Sequence, residues 1–240
     1  MGRRLVDPSP VDPGPIGAVF EWLAARDRFS VVQIGAYVGD SPNDPLFSFL
    51  RATLPDRPES VAVLVEPVRE YFEALQVAYG DLPTVRLENV AIAEQEGVRD
   101  FYRLAPGREH PDFRWLAQLG SLRPERMTEL WDGCEGTQLS DEPRNFWNRH
   151  KIVEKVQCWT LDQLLERHGL ERVDLLQIDA EGYDYEILRT IDFSQLRPRF
   201  INYERGLLQE DEPACRAKLQ KADYVLFDWG PDTLAVALAS

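Results

Sequence analysis

A chain of 240 residues with 27 Lys and Arg against 41 Asp and Glu has a formal net charge of −14. That charge repels nucleic-acid phosphates and anionic lipid surfaces, so neither is expected as a partner and a small molecule is. The length suits one large α/β domain over residues 1–240, no run reaches the ~18 apolar residues of a membrane span, and the three scattered cysteines (Cys134, Cys158 and Cys215) read as reduced thiols, so a soluble cytoplasmic protein is expected.

Near the start, Asp7, Pro8, Pro10, Asp12 and Pro13 interrupt any apolar core that a secretory signal would need. Pro15 then opens a helix whose apolar face is Ile16, Val19, Phe20 and Leu23. A strand is predicted over residues 30–34, ending in Gly35-Ala36-Tyr37-Val38-Gly39-Asp40, and a helix over 44–54 follows. Residues 61–65 form a second apolar strand that stops at Glu66-Pro67, and Tyr71, Phe72, Leu75 and Tyr79 give the next helix its buried stripe. Residues 85–91 and 98–104 read as two more strands about a turn at Glu94-Gln95-Glu96-Gly97.

From about 105 to 155 the rhythm breaks. The segment is rich in Pro, Arg and Gly, yet it holds Trp115, Trp131 and Trp147, which suggests a cap-like insertion over a pocket. Regular structure resumes with a strand at 153–159 and a helix announced by the capping box Thr160-Leu161-Asp162-Gln163. Residues 173–178 form an apolar strand that ends abruptly at Asp179-Ala180-Glu181-Gly182, and Tyr183, Ile187, Leu188 and Ile191 predict the helix after it. A strand at 200–204, a helix at 212–221 and strands at 224–227 and 233–238 complete the chain. Strands alternating with helices argue for a mainly parallel sheet covered on both faces, with an antiparallel edge where the last strands lack a helix between them.

In such a sheet, ligands bind beyond the carboxyl ends of the strands. Gly35 and Gly39 flank a tight turn there, where missing side chains let a cofactor lie against the backbone. Glu66 ends the next strand, where a carboxylate accepts hydrogen bonds from ribose hydroxyls. Asp179 and Glu181 are the acids at the strand end after residue 178, and Glu204 holds the same place on the strand after that.

With these residues in place, the chain resembles the FkbM-type S-adenosylmethionine-dependent methyltransferases from about residue 29 to 237. The resemblance is carried by Val32-Gln33-Ile34-Gly35-Ala36, Asp44-Pro45-Leu46, Leu64-Val65-Glu66-Pro67, Asn89-Val90-Ala91-Ile92, Gly120-Ser121-Leu122, Thr160-Leu161-Asp162, Ile178-Asp179-Ala180-Glu181-Gly182-Tyr183-Asp184 and Asn202-Tyr203-Glu204, in that order. It implies a Rossmann-like class I methyltransferase fold with a mainly parallel seven-stranded sheet. It also implies S-adenosyl-L-methionine as methyl donor and, usually, a hydroxyl as acceptor. Gln33, Gly35 and Gly39, with Ala36 and Tyr37, would line the methionine part of the cofactor. Glu66 and Pro67 would meet the ribose, Asn89 and Val90 the adenine, and Asp179 could bind the ammonium. Relatives usually carry Asn and Asp where this chain has Tyr37 and Val38, so a polar contact near the methionine would be either missing or made by Tyr37 instead.

Methyl transfer is an in-line displacement at a sulfonium carbon, so the protein must align the acceptor and, for a neutral alcohol, remove its proton. Asp179 and Glu181 are the first candidates for that base and Glu204 the third. His150 is a fourth, because imidazole titrates in the useful range. Asp179, Glu181 and Glu204 have the oxygen chemistry to hold Mg²⁺, but sequence spacing does not show convergence and no metal is assigned. The expected function is O-methylation of a small molecule, a sugar, polyketide or other secondary metabolite, by a possible homo-oligomer. N-methylation and a catalytically silent binding protein on the same fold are the alternatives.

Overall fold

The computed structural model describes residues 14–41, 44–123 and 141–238. The apolar runs become strands covered on both faces. In β1 (Ser30–Ile34) and β2 (Val61–Val65) every residue after the first is buried, and the two pair in parallel with Val32 opposite Val63. Burial on both faces is why these segments read as unbroken apolar runs and not as alternations. Beside β2 lies β3 (Val85–Glu88). On the other side of β1 come β8 (Leu175–Ile178) and β9 (Phe200–Glu204), all parallel. β11 (Asp232–Ala237) runs antiparallel to β9, and β10 (Tyr224–Trp229) runs antiparallel to β11 at the edge. The seven-stranded order β10-β11-β9-β8-β1-β2-β3 matches the predicted sheet, and between β1 and β8, which stay parallel, the order in which the chain adds strands switches sides.

Strand periodicity sends Val31 and Val32 to opposite faces, and each face has its own helices. One carries α1 (Pro15–Ala24), α2 (Pro45–Thr53) and α3 (Arg69–Tyr79), with Leu23, Leu46, Leu50 and Leu75 packed on Val31, Ala62 and Leu64. The other carries α5 (Leu161–His168), α6 (Asp184–Leu188) and α7 (Glu212–Lys221), with Leu164, Ile187 and Leu219 packed around Val32, Val63 and Leu176. Local chemistry sets the helix ends. Asp44 accepts from the Leu46 amide at 2.9 Å with Pro45 next to it, and the Thr160 and Gln163 box forms as the sequence predicts. α6 is shorter than its apolar pattern suggests. The Thr190 hydroxyl bonds back to the Ile187 carbonyl at 2.8 Å and the chain turns, although Ile191 still reaches the core.

Residues 85–91 do not form one strand. β3 ends at Glu88, the Asn89 side chain donates to the carbonyls of Glu66 and Pro67 at 2.8 and 3.0 Å, and the chain leaves the main sheet. Ala91–Ile92 (β4) joins a second, four-stranded sheet with Gly97–Leu104 (β5), Gly120–Ser121 (β6) and Lys151–Trp159 (β7), in the order β4-β7-β5-β6. Phe101, Val156 and Cys158 from this sheet belong to the same core cluster as Val32 and Ile178. Arg103 fastens it further: it donates to Glu154 of β7 at 2.8 Å and to Glu70 of α3 at 3.0 Å while only 4% exposed. The irregular stretch closes earlier than residue 155. α4 (Asp141–His150) precedes β7, and its Trp147 is fully buried against Leu104, Leu116, Leu119 and Leu207. Trp131 and Cys134 lie outside the described residues. Among the described residues no helix is long and apolar enough to cross a membrane.

Candidate active site

Where the strand order switches between β1 and β8, the two sheets enclose a cleft above the carboxyl ends of β1, β2 and β8. The turn after β1 shapes its floor. The amides of Gly35 and Ala36 both donate to the Val65 carbonyl at 3.0 Å, and Gly35 has φ +82°. A Cβ at Gly35 would sit 1.8 Å from the Asp179 carbonyl oxygen, so only glycine lets β1 and β8 close together here.

Glu66 is 5% exposed and lines the cleft. Its two oxygens accept from the amides of Tyr37 at 2.9 Å and Val68 at 2.8 Å. A carboxylate has about four acceptor sites, so each oxygen keeps capacity toward the cleft. Burial pushes the Glu66 carboxyl up to about 7, against the pull of those two amides and of Arg103.

The opposite wall is acidic. Asp179 is anchored by its amide to the Ile34 carbonyl at 2.9 Å and opens its side chain onto the cleft. Glu181 follows at φ +50° and Gly182 at +84°, a backbone path that turns the chain back toward the sheet. Asp184, fully buried, accepts from the amides of Ala180 at 3.3 Å and Glu204 at 3.1 Å and so ties the end of β8 to the end of β9. As a result, one carboxylate oxygen each from Asp179, Glu181 and Glu204 lie within 4.8 Å of one another. Although Asp179 has surface open to the cleft, the surrounding protein makes burial the leading cause that raises its carboxyl to about 8, with repulsion from Asp184, Asp232, Asp44 and Glu66 adding to it. Burial, and then the neighbouring acids, hold Glu181 and Glu204 well above the usual carboxylate range.

A match to the methyltransferase FkbM domain runs from residue 33 to 226. The chain belongs to this family. It is an S-adenosylmethionine-dependent methyltransferase of class I, Rossmann-like fold, and S-adenosylmethionine is its cofactor. Solved structures similar to it include precorrin-6y C5,15-methyltransferase from Geobacter metallireducens (10% identity, 92% of this chain and 85% of that one, TM-score 0.42). Others are a ribosomal protein L11 methylase from Lactobacillus delbrueckii (7%, 91% and 73%, 0.40) and the Methanococcus jannaschii fibrillarin pre-rRNA processing protein (9%, 88% and 66%, 0.39). No curated protein matches the sequence.

Of the residues singled out in the sequence of this FkbM methyltransferase, Gln33, Gly35, Ala36 and Tyr37 line the cleft on the β1 side, and Glu66, Pro67 and Val90 on the β2 side. Asp179 and Glu181 line it from β8, and Glu204 stands beside them. Gly39 does not line it. Its φ is +77°, and a Cβ there would meet the Tyr79 ring at 2.8 Å, so the glycine serves the packing of the turn on α3. Asn89 acts behind the wall, through the carbonyls of Glu66 and Pro67. His150 lies elsewhere: it ends α4 with its ring 4.5 Å from Phe146, which packs against the small cluster around Trp147. Residues not anticipated also line the cleft. Asp44 accepts from the Gln33 amide at 2.9 Å, and Tyr71, from the α3 stripe, donates to the Ala117 carbonyl at 2.7 Å and stacks edge-on to Tyr37. Gln118 and Leu122, from the irregular segment, line it as well.

Proposed function

We propose that this methyltransferase transfers the sulfonium methyl group to a hydroxyl oxygen of a small molecule, a sugar, polyketide or other secondary metabolite. The cofactor supplies an activated methyl and its own leaving group. Gln33, Gly35, Ala36 and Tyr37 would hold its methionine half, Glu66 with Pro67 beside it the ribose hydroxyls, and Val90 the adenine, with Asn89 fixing the backbone behind. The orphaned Gln33 Oε1, buried and without a hydrogen-bond partner, fits a donor brought by the cofactor. Residues 105–123 and β5 would cover the acceptor. The two buried free thiols, Cys158 and Cys215, are in keeping with a reducing cytoplasm.

The observation that carries this reading is the convergence of Asp179, Glu181 and Glu204 on one point of the cleft. An alcohol is a poor nucleophile until its proton leaves, and a carboxylate whose proton affinity has risen toward neutrality is the stronger base for that task. The three titrate as a coupled set, and the base form is the deprotonated one. Turnover should therefore rise with pH and level off above about 8, following Asp179, and a flat rate between roughly pH 6 and 9 would remove the carboxylates from proton transfer. Asp179→Asn should lower kcat by roughly 10²- to 10⁴-fold against an acceptor found by screening with labelled cofactor. Retained turnover in that variant would point to an amine acceptor, which arrives already nucleophilic.

A further inference from the structure

The charged side chains that line the cleft are all acids. Among the described residues that line it are the four carboxylates of Asp44, Glu66, Asp179 and Glu181, and no Lys, Arg or His. The arginines on the flanking elements face other acids. Arg99 pairs with Glu94 at 2.8 Å, Arg103 with Glu154 and Glu70, and Arg123 with Glu186 and Asp211.

Strand register explains how the acids gather. Gln33, Gln177 and Asn202 are partners across β1, β8 and β9, so their side chains share one face of the sheet. Glu204 lies two residues beyond Asn202 and falls on that same face, and Asp179 two beyond Gln177, just past the end of β8. Two buried acceptor atoms on this face have no partner in the protein: Glu204 Oε2, within the acidic group, and Oε1 of Gln33, a side chain 3% exposed that lines the cleft. Buried acceptors without donors are costly, and these call for a ligand that brings positive charge or N–H groups.

The cofactor answers only part of this. Its sulfonium and ammonium are offset by its own carboxylate, which leaves one net positive charge against Asp44, Glu66, Asp179, Glu181 and Glu204. On the β1 side, beside Gln33 and Asp44, its ammonium has a place. The acids at the ends of β8 and β9 remain.

We propose that Asp179, Glu181 and Glu204 form a cation seat at the acceptor end of the cleft. The cation is either a divalent metal ion or an ammonium carried by the acceptor. The geometry suits both. Oxygens on opposite sides of one ion stand up to about 4.8 Å apart at calcium-like bond lengths, and closer around magnesium or manganese, so the observed spread lies within reach of a single ion. Three carboxylates are the hard-oxygen set such ions take. An ammonium has three donors for three acids. Either cation would draw the acceptor hydroxyl to the carboxylates that also supply the base, so the inference rests on the reading of this cleft as the methyl-transfer site.

The test is calorimetry on the full chain saturated with S-adenosylhomocysteine, so that no turnover intervenes. Mg²⁺ and Mn²⁺ are titrated first, then glucosamine with glucose as its uncharged counterpart. Binding of the metals alone assigns the seat to a metal, and binding of glucosamine with glucose inert assigns it to an acceptor ammonium. In either case Glu204→Gln should weaken binding at least tenfold, and Glu73→Gln, on the exposed side of α3, should leave it unchanged. Glu181→Gln serves as the second variant should the first fold poorly. No binding by any probe, or wild-type affinity in both Gln variants, would overturn the proposal. Retained S-adenosylhomocysteine binding in that event would leave the cofactor half of the cleft standing.

Discussion

Gly35→Ala is expected to cost this methyltransferase its folded cleft. The added methyl would have to occupy a point 1.8 Å from the Asp179 carbonyl oxygen, which is backbone and cannot swing aside as a side-chain tip does. The φ of +82° adds strain of its own for any residue with a Cβ. Relief requires β1 and β8 to separate at the point where the Asp179 amide bonds to the Ile34 carbonyl. Together these effects should destabilise the protein by about 3–5 kcal/mol, which for a chain of this size lowers Tm by roughly 10 °C or more. Gly169→Ala is the control. Its φ of +62° is also left-handed, but nothing lies within 4 Å of a Cβ there, so it should lose only about 1–2 kcal/mol. Equal melting shifts in the two variants would show that the close approach of the strands is not what demands glycine at position 35.

Glu66→Ala should reduce affinity for S-adenosylmethionine by roughly 10²- to 10⁴-fold, since two hydrogen bonds to a charged acceptor are worth about 1.5–3 kcal/mol each. The same change strands the amides of Tyr37 and Val68, which Glu66 now satisfies, so a modest loss of stability accompanies the loss of binding. The pH dependence separates the two effects. Burial leaves the free carboxyl protonated below about 7, and ribose hydroxyls donate best to the ionised form, so wild-type affinity should fall as pH drops from 8 to 6. In Glu66→Ala that slope should shrink. Calorimetry at the two pH values decides it, and unchanged affinity in the alanine variant would remove Glu66 from the ribose site.

Much of this was legible before any coordinates. The bounds of β1 and β2 follow from branched apolar residues that stop at glycine or at Glu66-Pro67, because a strand covered on both faces has no polar face to blur its ends. Asp179 and Glu204 were visible for the same reason, as the first acids after buried runs. The division at Asn89 was not visible. Residues 85–91 read as one strand, whereas β3 ends at Glu88 and the Asn89 side chain, bonded to the Glu66 and Pro67 carbonyls, marks where the chain leaves for the second sheet.

Tyr71 was hidden by its own periodicity, which assigns it to the apolar stripe of α3 although it lines the cleft and its hydroxyl donates to the Ala117 carbonyl. Asp44 looked like a helix cap, and it is one, but its second oxygen meets Gln33. His150 was chosen for its chemistry, and residue type says nothing of position: the fold placed it against Phe146, at the small cluster around Trp147. Convergence of Glu181 with Glu204 depends on Asp184 binding two strand ends at once, a long-range contact that no local pattern encodes.

The most direct measurement is a calorimetric titration of the intact chain with S-adenosylmethionine and, separately, with NAD. The cleft described here, with its glycine floor and acidic walls, predicts one S-adenosylmethionine per chain at about micromolar Kd and no heat from NAD. Binding of NAD in its place, or of neither, would contradict the account.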